Sequence, residues 1–402
     1  MMGAVAAVLQ LTVAVGAVIA GTLAIVIGVK DQTKRISCLR VYTQTVSLCI
    51  IFLGLFTGPF GLEQFPPLCN APRDTLIGTS IIGLPFPDGL SVPTMACYYP
   101  SGRTMTCVLW QIQAYIFPFW NAGKGWGVNY VLSGLERLAI TFGLLIVMSA
   151  VLGRFFCGWI CPFGFYMDLI TRARKVLKIR HRNLSEGLND GLRQLRYVVI
   201  ALILMLSFVF GAEAIVGTQL VSGTEYKGFV YQYFSAPFCQ VCPMRPLCVL
   251  VEGALGSMNL QYVFSQTTGQ FYELGYYVTA PNVLVLILVS IGAFALRRFW
   301  CRICPLGGLI ALFNRFVPFK WASVVRLDKD EEKCTKCGIC KRVCPPQVTE
   351  VYEEKDGDVT ASGCILCFRC VEMCPYEDCL KIDVAGKTVF GSRNWLEAPK
   401  IR

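Results

Sequence analysis

The sequence is poor in histidine and in charge. Its one histidine, His181, cannot supply a bis-histidine haem site, and no Cys-x2-Cys-His run is present for covalent haem attachment. No glycine-rich loop stands in the strand-to-helix context that binds a nucleotide. We therefore expect neither haem nor NAD as a cofactor. Charged residues form 16% of the 402 residues and hydrophobic residues 54%, which excludes a chain that is water-soluble throughout.

Five apolar runs are long enough, or nearly so, to cross a membrane, and they lie at 4–29, 41–61, 128–152, 196–217 and 281–296. Lys and Arg are concentrated in the connections 30–40 and 154–196 and are sparse in 62–127 and 218–280. Because basic connections stay in the cytoplasm, the pattern predicts a multi-pass protein of the cytoplasmic (inner) membrane with its N-terminus outside. The net charge of +11 follows from this bias. The expected partner is therefore the lipid membrane, not nucleic acid.

Eight of the 21 cysteines form two copies of the pattern Cys-x2-Cys-x2-Cys-x3-Cys-Pro. Three thiolates at this spacing can bind three irons of one cubane, and in two-cluster ferredoxins the fourth cysteine binds the other cluster. The pattern predicts two [4Fe–4S] clusters, the first bound by Cys334, Cys337, Cys340 and Cys374 and the second by Cys364, Cys367, Cys370 and Cys344. A pair of zinc sites is the alternative, but these usually pair two Cys-x2-Cys units across a longer gap. Cys379 lies outside the pattern, and we expect it not to bind iron.

The predicted fold is mainly α, a five-span transmembrane helical bundle followed by a C-terminal α+β ferredoxin domain with two [4Fe–4S] clusters in the cytoplasm. We divide the chain into an N-terminal two-span region (1–61), an extracytoplasmic loop (62–127), a membrane iron–sulfur core (128–305), an interfacial linker (306–325), the ferredoxin domain (326–385) and a C-terminal tail (386–402).

Two further pairs of cysteines lie where the third and fifth runs reach the cytoplasm. Each pair follows an Arg and two aromatic residues and precedes Pro-x-Gly. The two pairs offer four thiols on one side of the membrane, the number that a cubane needs. They predict a third cluster bound by Cys157, Cys161, Cys301 and Cys304. Packing cysteines at helix ends are the alternative.

These twin Cys-Pro elements, followed by a two-cluster ferredoxin, resemble the NapH and NosR group of polyferredoxin-like membrane iron–sulfur proteins. The resemblance covers about residues 128–380 and implies quinol dehydrogenase-like electron transfer between the membrane quinone pool and a partner redox protein. Two residues separate Cys301 from Cys304, where the family usually has three. The resemblance supplies no role for the N-terminal span and its long outer loop.

A third group of cysteines, Cys239, Cys242 and Cys248, lies in a connection that the charge pattern places outside. The Cys-x2-Cys-Pro run is typical of a cluster loop, and the group could bind a fourth cluster with one more ligand. Candidates for that ligand are Cys69, Cys97 and Cys107. Disulfides are one alternative, because cysteines on an oxidising side of the membrane can pair, and unpaired thiols are the other.

Glu136 and Arg137 are charged residues within the third apolar run. Charge inside a membrane is costly and usually either paired or functional. One interpretation is that Glu136 takes up or releases quinone protons while Arg137 supplies the partner charge. A neutralising structural pair is the alternative.

These interpretations predict an electron-transfer subunit of a membrane oxidoreductase complex. Single electrons would pass through iron–sulfur clusters between the quinone pool, or an outer redox partner, and a soluble partner that docks on the ferredoxin domain. Basic residues around the first cysteine pattern would suit an acidic docking partner. The alternative function is a membrane redox sensor, or a maturation factor for another metalloenzyme, that uses the same cysteines.

Overall fold

The computed structural model describes residues 19–29, 32–52, 95, 107–116, 128–216, 236–254, 278–315 and 322–395. Its first part is helical. The helices, in chain order, are α1 (Ile19–Gly28), α2 (Gln32–Phe52), α3 (Val108–Ile116), α4 (Val128–Leu152), α5 (Phe155–Trp159), α6 (Pro162–Val176), α7 (Glu186–Val216), α8 (Arg245–Ala254), α9 (Ala280–Ala295), α10 (Trp300–Ile303) and α11 (Pro305–Arg315). A 3₁₀ helix, Pro237–Gln240, precedes α8.

The apolar runs are helical wherever the structure describes them. Helix α4 coincides with the third run, α9 with the fifth to within one residue, and α7 begins at Glu186, ahead of the fourth run at 196. Within these described ranges, one helix, Glu186–Phe208 of α7, is both long and apolar enough to cross a membrane. Shorter apolar helices occur at Ile19–Gly28, Leu138–Leu152, Ala280–Ala295 and Pro305–Asn314. The mainly helical class is confirmed, and the count of five spans stays a prediction.

Residues after 322 form an α+β domain around a four-stranded antiparallel sheet of order β2-β1-β3-β4. Its elements are β1 (Val325–Lys329), α12 (Ile339–Val343), α13 (Glu350–Glu353), β2 (Gly357–Asp358), α14 (Arg369–Met373), β3 (Leu380–Val384) and β4 (Lys387–Gly391). Strand β1 pairs with β3 from Val325 opposite Val384 to Lys329 opposite Leu380. Strand β4 lies in the segment that the sequence assigned to the C-terminal tail.

The chain divides into two compact units. The first comprises residues 1–48, 146–193 and 293–402 and contains both ferredoxin patterns and the twin Cys-Pro elements. The second comprises residues 49–145 and 194–292 and contains the third group of cysteines.

The hydrophobic core of the first unit joins the ferredoxin domain to helices α2 and α5. Ile36 and Trp159 are buried in one cluster with Leu327, Leu366 and Phe368. The Trp159 and Phe368 rings lie 5.9 Å apart between centroids. Burial of large aromatic and aliphatic side chains is the main favourable term in folding, so this shared core holds the ferredoxin domain against α5.

Candidate iron–sulfur sites

A cavity of about 370 Å³, which includes space open to solvent, lies in the ferredoxin domain. Its walls include Cys334, Cys337, Cys340 and Cys374, three cysteines from the first pattern and one from the second. We call these four cysteines the first site. They are the set that the sequence assigned to one cluster, and their thiols surround a space, as a cubane requires.

The two cysteine patterns adopt the same backbone conformation. Lys336 and Gly338 have φ of 55° and 70°, and their counterparts thirty positions later, Leu366 and Phe368, have φ of 48° and 55°. Left-handed residues turn the chain sharply, so each loop can direct three thiols inward. Each pattern ends in a cysteine, Cys344 or Cys374, whose backbone is extended, the conformation that a following proline favours.

The second site consists of Cys344, Cys364, Cys367 and Cys370. Burial raises the pKa of the Cys370 thiol well above its usual value, and the nearby Cys364, Cys367 and Cys344 raise it further. Burial likewise raises the pKa of Cys364 to about 12, with a further contribution from Cys367. The structure therefore brings these four thiols together, and iron binding would deprotonate them.

Cys379 lies in the wall of the first site, which the sequence did not indicate. It is buried, and its thiol hydrogen-bonds Cys374. That hydrogen bond holds the pKa of Cys374 below its usual value, although burial acts in the opposite direction. The only feature of the sequence that could have indicated this place for Cys379 is its position five residues after Cys374.

The third site consists of Cys157, Cys161, Cys301 and Cys304. Cys161 and Cys304 precede the prolines that begin α6 and α11, and their backbones match, with φ/ψ of −61°/118° and −53°/120°. Burial raises the pKa of Cys304 well above its usual value, and Cys157, Cys301 and Cys161 add to the shift. The backbone amide of Gly307 donates to the Cys304 sulfur at 3.4 Å. The two elements thus present their thiols to one another.

The arginine of each twin element packs into the other element. Arg298 donates through Nη1 to the carbonyl of Cys157 at 2.7 Å, and Arg154 donates through Nη2 to the carbonyl of Cys301 at 3.1 Å. A Cβ on Gly164 would overlap the Arg298 guanidinium, and a Cβ on Gly307 would lie 2.7 Å from Arg154 Nη2. The glycine of each Pro-x-Gly run therefore makes room for the arginine of the other element.

Asp168 on α6 anchors Arg298, and the sequence reasoning missed it. Arg298 Nε donates to Asp168 Oδ1 at 2.8 Å, and a second bond joins Arg298 Nη2 to Oδ2. Arg40 and Gln44 of α2 each donate to Oδ2 at 3.2 Å. Burial raises the pKa of Asp168, but Arg298 and Arg40 outweigh that effect and hold it below its usual value. A buried carboxylate with several charged donors stays ionised.

The segment that carries Cys157 touches the loop that carries two cysteines of the second site. Trp159 Nε1 donates to the carbonyl of Leu366 at 2.7 Å, and Arg154 Nη1 donates to the carbonyl of Gly363 at 3.0 Å. A Cβ on Gly158 would overlap the carbonyl of Ile365. The second and third sites are therefore neighbours in the fold.

The second unit holds Cys239 and Cys242 around the 3₁₀ helix and Cys248 on α8. Cys242 and Cys248 are buried, as is Cys107 directly before α3, and Cys239 is half-buried. Cys69 and Cys97 lie outside the described residues. Glu136 and Arg137 lie on α4, and their side chains are also outside what the structure describes. Within the described ranges, no three Cys, His, Asp or Glu side chains converge as ligands of a single metal ion. A cubane instead takes one thiolate on each of four irons.

Two family models match the chain. The 4Fe-4S binding domain matches residues 137–180 and 279–323, which contain the third site, and the 4Fe-4S dicluster domain matches residues 326–375, which contain the first and second sites. The segment with Cys239, Cys242 and Cys248 lies outside both matches. No solved structure matches the chain significantly.

Several curated proteins are similar to this chain. An uncharacterized protein of Methanocaldococcus jannaschii is 27% identical over 265 residues, which span 64% of this chain and 84% of that protein. The putative electron transport protein YccM of Escherichia coli is 25% identical over 256 residues, 62% of this chain and 58% of YccM. The ferredoxin-type protein NapH of Haemophilus influenzae is 25% identical over 240 residues, 58% and 63% of the two chains. The regulatory protein NosR of Stutzerimonas stutzeri matches over 22% of its own length.

Proposed function

This chain is a homologue of the NapH- and NosR-type membrane iron–sulfur proteins, and we propose on that basis that it is a membrane-bound electron-transfer subunit. It relays single electrons between the quinone pool, or an outer redox partner, and a cytoplasmic redox partner. The observation that carries the proposal is the contact between the segment with Cys157 and the loop with Cys364 and Cys367. That contact supports a relay in which the cysteine sites adjoin.

In this proposal each of the three sites holds one [4Fe–4S] cluster. The donor sets fit, because each offers four thiols drawn from two separate segments of the chain, the number that one cubane takes. When bound, such a cluster takes up and releases one electron at a time. The protein supplies the thiolates, the hydrogen bonds to their backbone, and the buried arginines that offset the negative charge of a thiolate-bound cluster.

The packing supports an order of sites from membrane to surface. The cysteines of the third site follow the C-terminal ends of the apolar helices α4 and α9. This site adjoins the second site. The first and second sites are also linked through the chain. Cys344 ends the first pattern but belongs to the second site, and Cys374 ends the second pattern but belongs to the first site. Cys337 of the first site is exposed, whereas Cys364 and Cys367 are buried. A soluble partner therefore docks at the first site, where electrons enter or leave the protein.

The surface around the first site carries paired charges. Lys336 contacts Glu331 at 3.1 Å and Lys333 contacts Asp330 at 3.3 Å, all on the surface near Cys337. The lysines that favoured an acidic partner in the sequence are thus partly neutralised by neighbouring acids. We infer that docking depends on shape and local pairing more than on a uniformly basic patch.

The membrane arrangement is part of the same proposal. Five spans with the N-terminus outside, in the cytoplasmic membrane, would put the third site at the inner surface beside the quinone pool. Glu136 and Arg137 handle quinone protons in this scheme. Other subunits of a membrane redox complex supply the terminal donor or acceptor.

One observation favours a second candidate function. A relative, NosR, bears the name of a regulatory protein. The same three sites could report the redox state of the membrane or serve in maturation of another metalloenzyme, in which case electron transfer would not support turnover with a quinol.

A quinol-reduction experiment separates the two functions. The full chain, purified anaerobically and placed in lipid nanodiscs, is mixed with a water-soluble quinol analogue, and reduction of the ferredoxin-domain clusters is followed by EPR. We expect reduction in the parent protein. In a Cys301→Ala/Cys304→Ala variant we expect these clusters to be reduced by dithionite but no longer by the quinol.

Cys38→Ala is the matched control, because Cys38 is an exposed free thiol on α2 outside all three sites. This control should behave as the parent does. A parent protein whose clusters accept electrons from dithionite but never from the quinol would contradict the quinone link. Equal quinol reduction in parent and double variant would contradict the place of the third site in the relay.

A further inference from the structure

We propose that Cys107, Cys239, Cys242 and Cys248 bind a fourth [4Fe–4S] cluster in the second unit. The use of that cluster as a relay rests on the function proposed above, whereas the existence of the site does not. The sequence left three candidates for the fourth ligand, and Cys107 is the one among them whose surroundings the structure describes.

Three of the four cysteines are buried in the second unit, and Cys239 is half-buried. Cys248 is 0% exposed, Cys107 6% and Cys242 8%. All four residues take part in hydrogen-bonding or electrostatic contacts. A free cysteine on its own behaves as a small apolar side chain. Four cysteines together would offer a donor set of the size that a cubane needs.

Helix α3 contacts the loop that carries Cys239. The side-chain oxygen of Gln113, which is 0% exposed, accepts a hydrogen bond from the backbone amide of Phe238 at 3.1 Å. Gln113 Nε2 is held by the carbonyl of Leu109 in the same helix at 2.9 Å. Cys107 lies directly before this helix, so α3 holds Cys107 in the neighbourhood of the loop.

One buried side-chain amide bonds the backbone carbonyls of both cysteines of the Cys-x2-Cys run. Asn282, 0% exposed, donates through Nδ2 to the carbonyls of Cys239 at 3.0 Å and Cys242 at 3.1 Å. Its own oxygen accepts from the amide of Thr279 at 3.0 Å, which fixes the orientation of the side chain. The Thr279 hydroxyl donates to the carbonyl of Gln240 at 2.9 Å. The carbonyls of Cys239, Gln240 and Cys242 are therefore satisfied without the thiols.

Hydrogen bonds from buried side chains to cysteine carbonyls also occur at the third site. There a buried side chain also bonds the carbonyl of a cysteine, Arg298 at Cys157 and Arg154 at Cys301. In the second unit the buried Arg245 donates to the carbonyl of Cys239 at 3.2 Å in addition to Asn282. A cationic side chain at this place offsets the negative charge of a thiolate-bound cluster. A disulfide is neutral and would leave the charge of the buried arginine uncompensated.

The charge pattern of the sequence predicts that this loop lies outside the cytoplasm. A cluster there would give the subunit a redox centre on each side of the membrane. The partner that reaches this centre is then an outer one-electron carrier, and quinol need not be the only donor.

The test is the iron and acid-labile sulfide content of anaerobically purified full-length protein. Four cubanes require about sixteen irons per chain and three require about twelve. We expect about sixteen in the parent, and about twelve in both Cys107→Ala and a Cys239→Ala/Cys242→Ala variant. Cys49→Ala, a free cysteine of the same unit outside the site, is the matched control and should keep the parent's iron.

Three outcomes would overturn the proposal. The first is a parent with about twelve irons. The second is a Cys107→Ala variant that keeps all the parent's iron. The third is a disulfide among the four cysteines, detected by mass spectrometry after alkylation without reductant. The EPR signals of the ferredoxin domain report folding in every variant. Because no quinol is used, failure here is distinct from failure of the proposed function.

Discussion

Replacing Arg154 with glutamine removes a positive charge from beside the third site. Arg154 is 2% exposed, and its guanidinium bonds the carbonyls of Cys301 at 3.1 Å and Gly363 at 3.0 Å. Both partners are neutral carbonyls, so the substitution does not strand a carboxylate as the loss of Arg298 would. Its main electrostatic effect therefore falls on the cluster that the third site binds.

The magnitude follows from Coulomb's law. For a unit charge placed about 7 Å from the added electron, in a medium with an effective dielectric constant of about 20, the interaction is about 2.4 kcal/mol. For a one-electron couple this corresponds to about 100 mV. A nearby positive charge stabilises the reduced form, so Arg154→Gln should lower the midpoint potential of the third cluster by about 100 mV.

The assay is an anaerobic potentiometric titration followed by EPR, with iron content measured on the same samples to show that all clusters are present. Arg154→Lys keeps the charge and should retain most of the potential. Arg172→Gln removes an exposed charge on α6, where water and salt screen it, and should change the potential little.

A potential that does not move in Arg154→Gln, with iron intact, would refute the position of a cluster beside Arg154. A shift of equal size in Arg154→Lys would mean that geometry is responsible and would refute the electrostatic reasoning. The loss of two hydrogen bonds from buried carbonyls also predicts a destabilisation of about 1–3 kcal/mol for each group left unpaired.

Two further predictions concern buried contacts of the first unit. Asp168→Asn breaks a buried ion pair with Arg298 and should lower the free energy of unfolding by about 3–5 kcal/mol. The readout is a lower temperature at which the visible absorption of the clusters is lost on heating. A cost below about 1 kcal/mol would show that the pair is dispensable. Cys374→Ala should remove the same EPR signal as Cys334→Ala, because both cysteines line one cavity. If the two variants lost different signals, the crossed assignment of the cysteines would be wrong.

The ferredoxin-type class could be recognised from the sequence because cluster ligands obey local spacing. Thiols at i, i+3 and i+6 must come from one tight loop, and the left-handed residues at 336 and 338 recur at 366 and 368 for that reason. Helicity of the apolar runs was also predictable, since long apolar segments bury their backbone polar groups in helices. The number of spans was harder to predict, because length and composition alone do not separate a span from a shorter apolar helix.

The sequence by itself predicted which cysteines form sets and was sufficient to find the relatives of the chain. Only the tertiary structure decided how these sets are supported. Arg298 hydrogen-bonds Asp168, 130 positions away, and Trp159 hydrogen-bonds Leu366, 207 positions away. The hydrophobic periodicity of the sequence cannot predict such pairs. Spacing along the chain specifies what one loop presents, whereas the buried arginines, Asn282 and the glycines that admit them act through packing between segments that are distant in sequence.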